Sequence, residues 1–492
     1  MDAERMPVLV GVGQVNDRPA DPAQGLSSIE LMAEALRRAD ADAGGGWLAR
    51  ADRLAAVRQI SMPALHPAAA RVADALGLAG VATEDTAQAS GDSPIRLLDE
   101  AANAIAAGDA RIVAITGGEA LRTAAAQARA QGAEVNAMRA VATRREPDYT
   151  QRYGLTAPVD VYPLYENACR AAWGQSLAEG QAESGAIWSR FSEVAAGNES
   201  AWLRMPLPPQ AITTPNANNR PIAFPYSKLM VANSSVNQGA GFLVTSLAEA
   251  RRAGVPEHRL VHVGLGAAAH ETDAILARDR FDFSASMAAA LETTMTANGV
   301  TAADLDHAEL YSCFPCVPKM ARRVLGWPVE RPATVFGGLT FGGGPIANYM
   351  SHAVAEMVRR LRDAPGKGLL FANGGYATHN HAIVVASEPL GRDRPHNPDV
   401  QADAETRRRP VPAVDRDHRG AATVESYTVF YDRTGEPVRG VVVARTVAGA
   451  RTLAAVPADD RDTVEFLTSG EAEPVGTAGT IAGQGEQAVW HF

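Results

Sequence analysis

The apolar and polar positions along the chain fall into strand-like and helix-like runs, and one succession of runs occurs twice. Val8 to Gly13 (V-L-V-G-V-G) is a continuous apolar run ending in glycine, which predicts a buried strand and a turn. Ser27 to Ala41 carries apolar residues at Ile29, Met32, Ala33 and Leu36, a helical spacing. After Thr86-Ala-Gln-Ala-Ser-Gly-Asp-Ser-Pro94, the positions Ile95, Leu98, Ala102 and Ile105 line one helix face. Ser93 is placed to cap that helix and Pro94 to be its first helical residue. Gly108-Asp109 closes it, Ile112 to Ile115 reads as a buried strand, and Gly117-Gly118 ends the strand. Far downstream, Phe336 to Ala347 (F-G-G-L-T-F-G-G-G-P-I-A) opens the same plan. Gly344-Pro345 signals a helix start, and Met350, Val354, Met357 and Leu361 line its face. Gly366-Lys-Gly368 closes it, Leu369 to Ala372 is a strand, and Gly374-Gly375 ends it. A glycine-rich loop running into a helix lets backbone N–H groups approach an anion or a carbonyl oxygen.

The repeated loop, helix, strand and glycine pair predicts an internal duplication, and the alternation of strands and helices predicts an α/β class with mainly parallel or mixed sheets. Residues 1–119 and 229–270 are assigned to a first half and 271–390 to a second. Between them, 120–228 is rich in helix formers and aromatics (Tyr162, Tyr165, Trp173, Trp188, Phe191, Trp202) and ends in a Pro- and Asn-dense stretch, Pro206 to Tyr226. It predicts an inserted subdomain or lid. Past Pro389 the composition turns polar, and 391–422 reads as a linker. Thr423 to Tyr431 alternates Val424, Ser426, Thr428 and Phe430 against the other face; Arg433-Thr-Gly-Glu436 is a turn and Val438 to Arg445 a second strand. Residues 423–492 therefore predict a small β-rich, barrel-like domain, a kind more often used for interaction than for catalysis.

Composition narrows the function classes. The chain has 492 residues, 46% hydrophobic and 21% charged, as an ordinary globular protein with a sizeable core does. A net charge of −10 argues against a nucleic-acid surface, and the basic run Arg407 to Arg409 reads as a solvated face. No apolar run is long enough to span a membrane. The first residues lack a basic stretch followed by an apolar core, and three cysteines in so long a chain suit a reducing compartment. A cytoplasmic protein is expected. Cys313 and Cys316 form a Cys-x-x-Cys, but without a second pair or a histidine cluster neither a zinc site nor a redox pair is expected.

Four segments together carry a family resemblance: Gly108-Asp-Ala-Arg-Ile-Val-Ala-Ile-Thr-Gly-Gly-Glu119, Ala232-Asn-Ser-Ser-Val-Asn-Gln-Gly-Ala240, Glu309-Leu-Tyr-Ser-Cys-Phe314, and the Gly337–Pro345 loop. In this order and spacing the chain, from about Val8 to Ser387, resembles the thiolase superfamily, in particular the sterol-carrier-protein type and its thiolase-like relatives. The resemblance implies two similar α/β halves with an inserted loop domain over an acyl-CoA site. It also implies that the tail is the extra C-terminal domain of a group of thiolase-like proteins, an OB-type barrel. The family's chemistry uses a nucleophilic cysteine at a helix N-terminus, a Gly-His-Pro histidine and an Asn or His with water at oxyanions, and a second cysteine that moves a proton.

The chain departs from that pattern at nearly every catalytic position. The nucleophile's place falls on Gly91, the Gly-His-Pro histidine's on Gly344, and the last cysteine's on Ala372, in Ala372-Asn373-Gly374. The His-Asp-Cys-Phe motif reads Tyr311-Ser312-Cys313-Phe314, keeping its cysteine and exchanging its histidine for tyrosine. No cysteine precedes Cys169, so ordinary thiolysis through an acyl-cysteine is not expected.

What remains defines the candidate site. The resemblance implies a proton-moving role for Cys313, and Tyr311 supplies another proton donor; thiolase-like aldolases use tyrosines in this cavity. His379, beside Asn380 and His381, is a third catalytic candidate. Ser93 either binds an acyl oxygen or caps its helix. Ser234 matches a serine near the pantetheine. Gly343, Gly344, Asn373 and Gly374 line the loops that would hold an oxyanion. His352 reads as structural. No metal and no tightly bound cofactor is expected; acyl-CoA or CoA is expected as substrate or ligand, with no nucleic-acid partner, as a monomer or homodimer. The implied function is C–C bond formation or cleavage next to a thioester, of the retro-aldol or Claisen type. The alternative is a non-catalytic acyl-CoA-binding or scaffold protein that recruits a partner through its C-terminal domain.

Overall fold

The computed structural model describes residues 2–132, 148–483 and 487–492. The first half contributes β1 (Pro7–Asn16), β2 (Arg53–Ala56), β3 (Ala82–Asp85), β4 (Ile112–Ala120) and, after two short strands β5 (Pro221–Ala223) and β6 (Tyr226–Ser227), β7 (Asn237–Ser246). The second half contributes β8 (Val261–His270), β9 (His307–Leu310), β10 (Lys367–Gly374) and β11 (His379–Ala386). Among the described residues these, without β5 and β6, form one nine-stranded sheet in the order β3-β2-β4-β7-β1-β8-β11-β10-β9. In the first half β7 lies antiparallel between β1 and β4; in the second, β11 lies antiparallel between β8 and β10. β2 runs parallel to β4, and β9 to β10. The two halves thus share one strand order, and they meet where Val8 and Leu9 pair with β8. The duplication expected from the glycine and proline punctuation is present in the pairing itself.

Two buried helices, Ser93–Ala107 and Tyr349–Asp363, pack against strands of both halves and against each other. The first closes at Gly108, which takes a left-handed φ of 84° that glycine accepts without strain. Its start differs from expectation. Ser93 is already helical, Asp92 occupies the cap position, and no side chain caps the helix. The second helix begins at Tyr349 rather than at Pro345. Ala347 takes a left-handed φ of 63° and Asn348 N–H donates to Pro345 O at 2.9 Å, so Pro345 to Asn348 is a turn that precedes the helix.

The insert packs onto the second half through its helices Pro158–Ala172 and Leu177–Gly197. Lys319 Nζ lies 2.5 Å from Glu166 Oε1 with both side chains buried, and Tyr226 Oη donates to the other oxygen of Glu166 at 2.9 Å. A buried pair of this kind specifies one docking geometry, because removing either partner strands a charge. The tail forms β12 (Gly420–Tyr431), β13 (Pro437–Thr446), β14 (Arg451–Pro457), β15 (Ala478–Ala482) and β16 (Val489–His491). Their order β13-β14-β16-β15-β12 closes through β12–β13 pairing. β14 and β16 are parallel, and helix Arg461–Thr468 lies between β14 and β15. This is the OB arrangement. The barrel is fastened to the insert: Ser426 Oγ donates to Leu164 O at 2.6 Å, Asn167 Nδ2 to Tyr427 O at 2.9 Å, and Phe430 pairs with Ala223 of β5. The 391–419 stretch is a strap bonded to the body. Arg394 inserts beside buried Asp99 at 2.7 Å, and Arg408 reaches Glu271 at 2.9 Å. No helix among the described residues is long and apolar enough to cross a membrane.

Candidate active site

The two central helix starts converge on Tyr311. Its backbone N–H donates to Phe371 O at 3.1 Å, extending the β9–β10 ladder by one residue. Its ring meets Tyr349, the first residue of the second central helix, edge-on at 5.9 Å. Its phenol lies against Gly91, just ahead of the first. A Cβ on residue 91 would fall 2.4 Å from Tyr311 Oη and 2.2 Å from Asn373 O. The space that a side chain at 91 would need is therefore filled by the phenol and a backbone carbonyl. Burial raises the Tyr311 phenol well above its ordinary pKa, and the neighbouring Cys313 and Asp92 add to the effect. It is a proton donor at neutral pH.

The turn that carries Gly91 is built from its own polar residues. Thr86 N–H donates to Ala56 O at 3.0 Å, and Thr86 Oγ1 donates to Gln88 O at 2.9 Å. Ser90 Oγ donates to the Asp92 carboxylate, and Ser93 N–H to Ser90 O at 3.0 Å. Ser93 Oγ is buried and has no hydrogen-bond partner among the described residues. Gly374 closes onto the turn: a Cβ there would meet Ser90 Oγ at 2.1 Å.

Buried Glu309 organises the second helix start. One carboxylate oxygen accepts from Val335 N–H at 2.8 Å and Thr334 Oγ1 at 2.9 Å, the other from Tyr349 Oη at 2.7 Å. Burial raises its pKa to about 7 against these donors. The glycine loop then makes a wide turn over Gly338–Gly342. Gly343 has a left-handed φ of 104° and packs on the Gln238 amide. Gly344 N–H donates to Asn233 O at 2.8 Å, Asn233 N–H to Leu339 O at 3.0 Å, and Ala232 N–H to Cys313 O at 3.1 Å. The 232–235 segment, with half-buried Ser234, thus stitches Cys313 to the glycine loop. The Gly344 N–H is already committed and is not a free anion donor. Asn348, the residue before the second helix, buries an amide with neither polar atom partnered among the described residues.

Cys313 is brought near Tyr311, but as a thiol: burial pushes its pKa up to about 12, and a hydrogen bond with Tyr162 offsets this only in part. Tyr162, from the insert, stacks on Phe314 at 4.5 Å, and its hydroxyl donates to Asn373 Oδ1 at 2.9 Å. Asn373 Nδ2 donates in turn to Asn380 Oδ1 at 2.9 Å. The Asn373 amide is therefore held in a network, while its carbonyl faces Gly91. His379 is half-exposed, with Nε2 3.1 Å from Gln88 Nε2 and its ring over His270; these contacts tie it to the rim of this region, not to Tyr311. His381 pairs with Asp99 at 3.0 Å in the strap's anchor, and His352 is buried against Gln14. Among the described residues no cluster could hold a metal. Sequence reasoning passed over Asp92, Tyr162 and the organising role of Glu309. Asp92 and Glu309 both stand inside the segments singled out there, and a carboxylate in a glycine- or strand-rich motif was the available signal. Nothing local marks Tyr162.

Comparison with known proteins identifies the family. A family model described as the thiolase-like protein type 1 additional C-terminal domain matches residues 399–486. No curated protein sequence matches the chain. Among solved structures, a monomeric SCP2-thiolase-like protein type 1 from Mycobacterium smegmatis is 31% identical, with 100% of both chains covered and a TM-score of 0.84. The Ltp2–ChsH2(DUF35) aldolase (20% identity, TM-score 0.62) and human mitochondrial 3-ketoacyl-CoA thiolase (14%, TM-score 0.60) each cover 79% of this chain and 100% of their own, and share the fold. With its full length matched, barrel included, the chain belongs to the SCP2-thiolase-like protein type 1 family.

Proposed function

We propose that the chain binds an acyl thioester, acyl-CoA in its simplest form, where the two central helix starts meet, and makes or breaks a C–C bond beside the thioester without an acyl-enzyme. The observation that carries this reading is the Tyr311 phenol against Gly91: a proton donor stands where a nucleophile would. Ser93 Oγ and the Asn348 amide add buried hydrogen-bonding capacity without partners, one at each helix start. Such groups are costly unless something binds them.

In the cleavage direction a β-hydroxyacyl thioester gives its hydroxyl proton to the Asp92 carboxylate. The Cα–Cβ bond breaks, its electron pair moves onto the thioester carbonyl as an enolate, and a carbonyl product leaves. Tyr311 donates to the enolate oxygen, which the two helix N-termini also favour. The protonated Cys313 thiol supplies a proton to Cα, and the proton held by Asp92 replaces it through solvent. The test is turnover of β-hydroxyacyl-CoA and β-ketoacyl-CoA panels, read by mass spectrometry, with Tyr311→Phe alongside. Turnover lost in the variant supports the reading. No turnover by the native chain, or equal turnover by both, removes it.

Binding without catalysis is the second reading. It is favoured by the raised pKa of both Tyr311 and Cys313, which leaves Asp92 as the nearest base. Calorimetric binding of acyl-CoA with no product would select it. The M. smegmatis relative is described as monomeric, and we take the same state for this chain.

A further inference from the structure

In an open groove of about 750 Å³ beside Trp47, Arg50 pairs with Glu249, Arg252 with Glu249 and Glu4, and Arg259 with Asp42. Arg18, Arg122 and Arg204 are different: among the described residues none of them has a carboxylate partner. They come from three separate segments and gather round one buried side chain, Trp202. The Arg18 guanidinium lies 4.1 Å and that of Arg122 5.9 Å from the Trp202 ring centroid, and Arg204 follows two residues after it.

Two further observations describe the field there. Burial lowers the pKa of Arg18, and the other contributions come from the like charges of Arg122 and Arg204. Arg122 stands in the first turn of helix Leu121–Ala130, which has no acidic residue in that turn and no side-chain cap. A cation at a helix N-terminus is unfavourable, so the helix adds to the positive potential. Arg18 is also fixed in place, donating to the carbonyls of Ala201 and Trp202, while Arg122 and Arg204 are exposed and, among the described residues, neither guanidinium has a hydrogen-bond acceptor. In a chain of net charge −10, three uncompensated guanidiniums held together form a local anion site.

We propose that Arg18, Arg122 and Arg204 around Trp202 bind the phosphoryl group of a small organic phosphate. Guanidinium groups converging from different directions suit a tetrahedral dianion, to which each offers paired N–H donors. The net negative charge elsewhere disfavours a polyanion such as nucleic acid. This assignment rests on the arginines and Trp202 and not on the thioester reading.

The test is calorimetry on the full chain at low ionic strength with inorganic pyrophosphate, CoA and dephospho-CoA, comparing the native chain with an Arg122→Gln/Arg204→Gln double variant. Both positions are exposed, and an unchanged melting temperature checks that the variant folds. Saturable pyrophosphate binding that weakens at least about tenfold in the variant supports the site. If CoA weakens in parallel and dephospho-CoA does not, the phosphomonoester of the thioester is the ligand. If pyrophosphate weakens and CoA does not, a separate organic phosphate is the ligand and the thioester cleft is untouched. No saturable pyrophosphate binding by the native chain, or equal binding by the variant, overturns the proposal.

Discussion

The two central helices descend from one repeated plan, and their starts have diverged in opposite ways. At the first, a residue without a side chain faces a space that is already full: a Cβ at Gly91 would meet Asn373 O at 2.2 Å and Tyr311 Oη at 2.4 Å. At the second, a Cβ at Gly344 would meet nothing nearer than Asn233 O at 3.2 Å and Leu339 O at 3.3 Å. Each glycine stands where the resemblance puts a catalytic side chain. Only at Gly91 has another residue moved into the space. The loss at Gly91 is therefore a replacement, with a phenol in exchange for a nucleophile, whereas Gly344 is nearly a plain deletion.

The helices are also held differently. The first is pinned at Asp99, whose carboxylate is raised by burial but held at about 2 overall by the His381 hydrogen bond and the Arg394 charge. Asp99→Asn leaves Arg394 buried without its counter-charge and is expected to cost about 3–5 kcal/mol in chemical denaturation at pH 7. Because the folded pKa lies below the ordinary 3.8, the native chain should lose this stabilisation as pH falls through 3.8 toward 2. A loss under about 1 kcal/mol would show that the strap does not anchor the helix.

Next in size, Gly91→Ala is expected to cost about 1–3 kcal/mol through overpacking. Gly344→Ala should cost under about 1 kcal/mol. Equal costs would erase the contrast between the two starts. Tyr311→Phe should change stability by less than about 1 kcal/mol, while lowering turnover by about 100-fold or more. A large stability loss with unchanged turnover would make Tyr311 a packing residue.

A last effect, read as a pH slope and not as a single loss, concerns Glu309, the anchor of the second start. Its folded pKa of about 7 lies above the ordinary 4.5, so the native state holds its proton longer. The contribution is greatest below pH 4.5 and is lost as pH rises through 7. Glu309→Gln should flatten the stability profile across that window in urea titrations. A profile with unchanged slope would assign the titration elsewhere, with Glu119, also raised to about 7 by burial, as the next candidate.

Much of this fold was legible in the sequence because glycine and proline punctuate it. Gly108 and Gly374-Gly375 mark real boundaries and the 424–430 alternation lies in a real strand, whereas Gly117-Gly118 does not end its strand, which runs on to Ala120. The start at Tyr349 was not legible, since nothing local says that Ala347 will take a left-handed φ. Nor was the uncapped start at Asp92, because serine and aspartate are both good caps by propensity and neither side chain caps this helix. The losses at Gly91 and Gly344 could be read one by one, but the filling of one of them by Tyr311 is a tertiary contact between residues far apart in sequence. The unpaired arginines round Trp202 were invisible for the same reason. The polar composition of 391–422 signalled a linker, and three of its arginines, Arg394, Arg407 and Arg408, pair with Asp99, Glu292 and Glu271 of the body.

The Tyr311 phenol, on this account, stands in the nucleophile's place beside Gly91 and donates to the substrate's carbonyl oxygen. The most direct test is a crystal structure of the chain soaked with an unreactive acyl-CoA analogue in which a methylene replaces the thioester sulfur. The account predicts the acyl carbonyl oxygen within hydrogen-bonding distance of Tyr311 Oη, between Gly91 and Tyr349. An analogue bound with its carbonyl elsewhere, or with Tyr311 swung out to admit a ligand at Gly91, would contradict it.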